Sequence, residues 1–293
     1  MVGGFYEIFI MNFTERRKTM EPKTISEKMM FSTVRLETSN SSSGTGFFYG
    51  YDVDDKTICP ILITNKHVIN NNRNEVMSFC LHLKDEDNCN SENYRVTYQG
   101  EWIFHSSKDL CFCFVQPLFE EVKRRTGKEV YYVSVDDDLL ASERDIEELS
   151  GIEELVMVGY PIGLWDEKNN FPIFRRGYTA SHPAIDFNES GVGLVDIACF
   201  PGSSGSPIFI LNENGYSNRL GETYLGAKRV KLIGILYAGP QYTAEGALRV
   251  VNIPTSNQEF ISQTPIMTNL GYYIKVSELQ EFKDYIIEFI KNN

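Results

Sequence analysis

No stretch of this sequence reaches the ~18 consecutive apolar residues that a membrane-spanning helix requires. The N-terminal MVGGFYEIFIMNF has no basic lead-in, and Glu7 and Asn12 interrupt its apolar run, so it does not read as a secretory signal. Both absences predict a soluble, cytoplasmic protein with no membrane partner. Basic residues are also scarce. Lys and Arg number 28 against 40 Asp and Glu, for a net charge of −12. Phosphate backbones bind clustered cations, so a nucleic-acid partner is excluded, and Arg16-Arg17-Lys18 reads as a solvated run. Six cysteines without a secretory signal argue weakly for disulfides. Cys111 and Cys113 share one face of a strand and have no second ligand pair, so they are expected as buried thiols, with no metal and no cofactor. Internal repeats are missing, and the one biased tract is the serine cluster at residues 39–43.

What is present is β-forming. Tyr and Phe number 16 and 19, and Val and Ile alternate with polar residues, as strands require. From Ser32 the runs STVRLE, GTGFFYG, PILITNKHVI, EVMSFCLHL, YRVTYQG and DLCFCFV recur between Gly, Asn, Asp and Ser. QPLFEEVKRRTG predicts a helix closed by Gly127, and DDDLLASERDIEELS predicts loops with a short helix. Strand character returns in ELVMVGYP, RRGYTASHP, GLVDIACF, SPIFIL, VKLIGILYAG and GYYIKV. SELQEFKDYIIEFIKNN closes the chain as an amphipathic helix, with Ser277 as N-cap and Gln280 as its capping-box partner. Its apolar stripe is Leu279, Phe282, Ile286, Phe289 and Ile290. The pattern predicts an all-β protein of barrels or sandwiches with a closing helix.

Three segments carry chemistry together. ILITNKHVI sets His67 at a strand end, SSKDLCFCFV sets Asp109 before an apolar run, and FPGSSGSPIFI sets Ser204 in a tight turn ahead of a buried strand. Acyl transfer by serine needs a base, a carboxylate to orient it, and two N–H groups aimed at the oxyanion. Gly202 can adopt a backbone conformation that turns its N–H inward beside that of Ser204. Gly205 and Ser206 keep the chain thin, and Pro207 opens the next strand without needing an N–H. Asp85 and Asp87 lie in the solvated run KDEDN and orient poorly; Ser203 and Ser206 are the neighbouring hydroxyls. His82, His105 and His182 read as structural, with His182 an alternative cleft residue.

The sequence resembles the chymotrypsin-fold serine peptidases, in particular the bacterial trypsin-like peptidase domains. GTGFF, LITNKHVI, KDLCFCFV, VGYPIG, RRGYTASHP, FPGSSGSPIF, LIGILYAG and GYYIKV follow that family in order, over roughly residues 32–290. Asp109 stands 42 residues after His67, and Ser204 stands 95 after Asp109. A worked triad of the same order has spacings of roughly 45 and roughly 93. The resemblance implies two antiparallel six-stranded β-barrels. Residues 1–31 would be an extension, 32–125 the barrel with His67 and Asp109, and 126–149 an acidic connection. Residues 150–276 would be the barrel with Ser204, and 277–293 the helix, with no PDZ-like module after it. The implied site is a triad of His67, Asp109 and Ser204, with Gly202 and Ser204 as the oxyanion hole.

Two departures qualify the resemblance. Ser203 precedes the nucleophile where secreted trypsin-type enzymes carry an acid, so the partner of an inserted N-terminus is missing. Val2-Gly3-Gly4 lies 65 residues before His67, too far for an activation terminus. Order in the oxyanion loop must then come from packing, from substrate or from an activating protein partner. By resemblance Ala198 floors the primary pocket, and Tyr237, Ala238 and Gly239 form its wall. With no charge at the floor, an apolar or small side chain is the expected preference. The overall expectation is a cytoplasmic serine endopeptidase acting on proteins or peptides, regulated or latent in the cell. The competing expectation is a protease-fold binding or scaffold protein without turnover.

Overall fold

Alternating runs of β-branched, aromatic and polar residues fold into strands through most of the chain. The computed structural model describes residues 21–39, 42–54, 57–85, 88–248 and 260–292. The N-terminal half holds β1 (Thr33–Thr38), β2 (Ser43–Asp54), β3 (Thr57–Thr64) and β4 (Met77–Asp85). It continues with β5 (Asn88–Tyr98), β6 (Ile103–Phe104), β7 (Cys111–Phe114) and β8 (Glu129–Tyr131). The C-terminal half holds β9 (Glu154–Gly159), β10 (Ile173–Thr179), β11 (Val192–Asp196), β12 (Pro207–Asn212), β13 (Gly215–Ser217) and β14 (Thr223–Leu225). It ends with β15 (Arg229–Ala238), β16 (Gln241–Leu248), β17 (Phe260–Met267) and β18 (Leu270–Lys275). Four helices complete the set: α1 (Ile25–Met29), α2 (Gln116–Thr126), α3 (Glu143–Glu147) and α4 (Gln280–Asn292).

In the C-terminal half β10-β11-β18-β15-β12-β9 close into a six-stranded antiparallel barrel. Two hairpins, β13–β14 and β16–β17, pair only with themselves. The N-terminal half differs in detail from the expected six-stranded barrel. Its ladder runs β5-β4-β1-β2-β3-β7-β6 with β8 added to β4, an eight-stranded sheet that does not close between β5 and β6. The break follows from β6, which is two residues long. Just before it, Trp102 donates its N–H to the Arg73 carbonyl instead of to a strand. The Trp102 and Tyr98 rings pack edge to face, 5.4 Å apart.

An apolar cluster joins the two halves. Phe47, Ile61, Ile63 and Phe112 from the first pack with Leu155, Ile208, Ile235 and Ile274 from the second. α4 seals this core with Phe282 and Ile286, each contributing ~1.5–3 kcal/mol by burial. Its stripe ends sooner than the heptad pattern suggests, since Phe289 and Ile290 are exposed. Ser277 does not cap the helix: Val276–Leu279 form a 3-10 turn leading into α4, so Ser277 lies inside helical backbone and its carbonyl accepts the Gln280 N–H. Gly127 ends α2 in the left-handed conformation, donating to the Lys123 carbonyl at 2.8 Å. α1 was not foreseen, although Thr24 and Glu27 form a full capping box there. Among the described residues no helix is long and apolar enough to cross a membrane.

Candidate active site

β3 delivers His67 by local means. After Thr64 the chain leaves the ladder, and Val68 and Ile69 bury themselves as a 3-10 turn of His67–Ile69. Asn70 and Asn71, both with φ of 54°, end that turn. The buried Asn65 donates its amide to the Asp109 carbonyl at 2.7 Å. The Asp109 carboxylate then holds His67 twice, accepting from its backbone N–H at 3.1 Å and from Nδ1 at 2.5 Å. With Nδ1–H donating, the neutral imidazole keeps its lone pair on Nε2, the form a general base needs. The His67 and Asp109 side chains are 41% and 28% exposed, so this pair is open to solvent.

The loop that carries Asp109 is organised by a residue read from sequence as merely structural. His105 is buried, and its Nδ1 accepts the N–H groups of Ser107 and Lys108 at 3.2 and 3.0 Å. Its Nε2 lies 3.1 Å from the Glu278 carbonyl, and Glu281 of α4 accepts both the N–H and the hydroxyl of Ser106. The C-terminal helix thereby braces the loop of residues 105–109. His82 packs among Phe31 and Phe171, and His182 accepts the Ala184 N–H.

The turn before β12 is shaped by two glycines in the left-handed region, Gly202 at φ 89° and Gly205 at φ 85°. Its fold is fixed by bonds from Ser203 N to the Phe200 carbonyl (2.9 Å) and from Ser206 N to the Ser203 carbonyl (3.0 Å). Thr45 of β2, fully buried, ties the turn to the other half of the molecule. Its N–H donates to the Ser204 carbonyl at 2.9 Å and its hydroxyl to the Gly202 carbonyl at 3.0 Å. Thr64, three residues before His67, donates its hydroxyl to the Thr45 carbonyl at 2.7 Å. One short relay thus links the strand bearing His67 to the turn bearing Ser204. With the carbonyls drawn to Thr45, the N–H groups of Gly202 and Ser204 have no acceptor among the described residues. The Ser204 hydroxyl likewise makes no hydrogen bond there, and none joins it to His67. Thr45 and Thr64 escaped the sequence reading. The one available signal was a threonine between Gly44 and Gly46 on a strand otherwise fit for burial.

The expected pocket residues lie along the same turn. Gly205 N–H donates to the Leu236 carbonyl and Leu236 N–H to the Ser206 carbonyl, so the end of β15 runs beside the turn that carries Ser204. The register slips between Leu236 and Ala238, a bulge at Tyr237. The Tyr237 hydroxyl is pushed up in pKa by burial first, then by the charges of Glu189 and Asp109 and by Tyr272. It therefore stands within electrostatic reach of the carboxylate that holds His67. Ala238 is exposed; Gly239 and Ala198 are half-buried. Arg175 of β10 donates its guanidinium to the backbone carbonyl of Ala198, the residue expected at the pocket floor. Two-residue alternation along β10 brings that side chain inward, which no local motif announced.

Among the described residues no cluster of three ligating side chains could hold a metal. Cys111 and Cys113 are buried free thiols, raised in pKa by burial. Residues 44–216, which include His67, Asp109 and Ser204, match the trypsin-like peptidase domain family. The chain belongs to that family. No curated protein matches this trypsin-like peptidase domain in sequence. Among solved structures it is similar to Deg5, at 16% identity over 72% of this chain and 81% of that one, with a TM-score of 0.41. It is also similar to an inactive serine-to-alanine form of Rv3671c from M. tuberculosis H37Rv, at 13% identity, 90% and 93% coverage, and TM-score 0.40. A third similar structure is the scabies mite inactivated protease paralogue S-I1, at 11% identity, 89% and 96% coverage, and TM-score 0.42.

Proposed function

We propose that this trypsin-like peptidase domain is a serine endopeptidase of the cytoplasm, cleaving proteins or peptides without a cofactor. Ser204 Oγ attacks the scissile carbonyl while His67 Nε2 takes its proton. The same proton passes to the leaving amine, and water then hydrolyses the acyl-enzyme by the reverse sequence. Asp109 fixes the imidazole tautomer and stabilises the imidazolium. The N–H groups of Gly202 and Ser204 receive the oxyanion, each worth about 100-fold or more in turnover. The observation that carries this reading is the carboxylate of Asp109, which grips both the ring and the backbone of His67 at 2.5 and 3.1 Å. The free cysteines Cys59, Cys80, Cys111, Cys113 and Cys199 support a reducing compartment.

One observation favours a second reading, a protease-fold binding protein or an enzyme latent until a partner protein docks: the Ser204 hydroxyl has no bond to His67. A fluorophosphonate probe separates them. The endopeptidase reading expects labelling of the purified protein that disappears in Ser204→Ala, together with peptide hydrolysis. Labelling that requires a second protein means effector activation. Complete inertness toward probe and peptides, with a folded chain, means binding without turnover.

A further inference from the structure

Among the described residues other than glycine, positive φ falls on asparagines, which tolerate it, with one exception: Ile162, at φ 53° and ψ 25°. A β-branched side chain is the kind least suited to that conformation. Side-chain burial does not offset the strain, since Ile162 is 67% exposed. What the conformation secures is a backbone bond: the Ile162 N–H donates to the Pro201 carbonyl at 2.5 Å. Such strain persists where the surroundings over-determine it, and here they do. Tyr160, fully buried, donates its N–H to Thr45 Oγ1 at 3.0 Å and its hydroxyl to the Thr33 carbonyl at 3.3 Å, which fixes the chain entering residue 162. Leu164 N–H closes the turn on the Pro161 carbonyl at 2.7 Å.

The Pro201 carbonyl belongs to the same peptide unit as the Gly202 N–H. A trans peptide is planar, with its C=O and N–H pointing in opposite directions, and no described peptide is cis. By drawing the carbonyl to itself, Ile162 therefore turns the Gly202 N–H away from the loop of residues 161–164. The peptide on the other side of Gly202 is held as well, because its carbonyl accepts the Thr45 hydroxyl at 3.0 Å. Ser204 is framed in the same way, by Ser206 N–H on the Ser203 carbonyl at 3.0 Å and by Thr45 N–H on the Ser204 carbonyl at 2.9 Å. Thr45 and Ser206 are buried, so three of these four restraints come from the interior. The fourth comes from an exposed residue under strain. Gly202, at φ 89°, has no Cβ to resist rotation, so residue 202 cannot by itself keep its N–H in place once the Pro201 carbonyl is released.

We propose that Ile162 is a positioning residue for the oxyanion hole: its N–H sets the Pro201–Gly202 peptide so that Gly202 can donate to the oxyanion. The catalytic consequence rests on the endopeptidase reading, whereas the orientation of the peptide does not. Ile162 acts through Gly202 and through its own backbone, so its side chain is replaceable and its N–H is not.

Backbone and side-chain variants at this one position provide the test. Ile162→Ala and Ile162→Asn keep the N–H and should leave kcat and KM within a few-fold of wild type. Ile162→Pro removes the donor and cannot adopt a positive φ. It should lower kcat by about 100-fold, the worth of one oxyanion donor, with KM little changed. Replacing residue 162 by its α-hydroxy acid deletes the N–H alone and should reproduce that loss, and thermal melting checks that each variant folds. Crystal structures report the peptide without any turnover: the Pro201 carbonyl should face residue 162 in the wild type and turn away in Ile162→Pro. A turned peptide in Ile162→Pro beside a wild type that hydrolyses nothing supports the positioning and counts against the endopeptidase reading alone. An unturned peptide in Ile162→Pro, full kcat in the α-hydroxy acid protein, or a kcat that falls as far in Ile162→Ala as in Ile162→Pro would overturn the inference.

Discussion

Adding one methyl group to Gly205 tests the idea that the turn carrying Ser204 is clamped across the two halves of the molecule. Gly205 has φ of 85°, where a Cβ costs about 1–2 kcal/mol. The added Cβ would stand 1.9 Å from the Thr45 carbonyl oxygen and 2.7 Å from Thr64 Oγ1. Relief requires the turn and β2 to separate by more than 1 Å, roughly the shortfall from ordinary van der Waals contact. That motion strikes the bond from Thr64 to the Thr45 carbonyl and the bond from Thr45 N to the Ser204 carbonyl. Each buried bond lost costs about 1–3 kcal/mol. The expected destabilisation of Gly205→Ala is therefore about 3–8 kcal/mol, a large share of the 5–15 kcal/mol typical of a whole domain. Gly221 supplies the control, with φ of 82° and nothing within 4 Å of an added Cβ, so that Gly221→Ala should show the backbone cost alone. Thermal unfolding should separate the two variants by about 5–15 °C, and fluorophosphonate labelling should be lost in the first and kept in the second. If both variants melt together and label at the wild-type rate, the clamp does not exist.

Three further outcomes follow from the same geometry. Asp109→Asn should fold normally yet lower kcat by about 10⁴-fold, because an amide no longer imposes the tautomer with a lone pair on Nε2; steady-state kinetics and a melting curve decide it. His105→Ala removes the acceptor of the Ser107 and Lys108 N–H groups, so amide exchange at residues 106–109 should accelerate while the barrel core stays protected; unchanged exchange there refutes the brace. Asp186 is held below the ordinary carboxylate pKa chiefly by its hydrogen bond with Lys275 at 2.7 Å, with help from the Gly191 N–H and against desolvation. Folding favours its charged form, so its stabilisation is complete above about pH 4 and fades as pH falls through the lowered folded value. Asp186→Asn should flatten that acid limb in urea titrations run at successive pH values, and an unchanged limb counts against the pair.

The β architecture, the terminal helix and the family were legible because they rest on local signals. Alternation of apolar and polar residues marks strands within a few positions, Gly127 marks the end of α2 by itself, and the glycines of FPGSSGSP announce a turn whose conformation needs them. His67 and Asp109 could be named because their flanking motifs are short and ordered. The open edge between β5 and β6 was not legible, since two residues carry too little pattern to tell a strand from a loop.

The amino-acid order by itself determined which segments become strands and turns, and which side chains with chemical capacity sit at their ends. The folded chain alone decided who meets whom. Thr45 reaches Gly202 from 157 residues away, His105 reaches Glu278 from 173, and Arg175 reaches Ala198 from 23. Such encounters leave no mark on neighbouring residues, because a hydrogen bond depends on atoms a few ångströms apart in space, and periodicity along the chain constrains only the next few side chains.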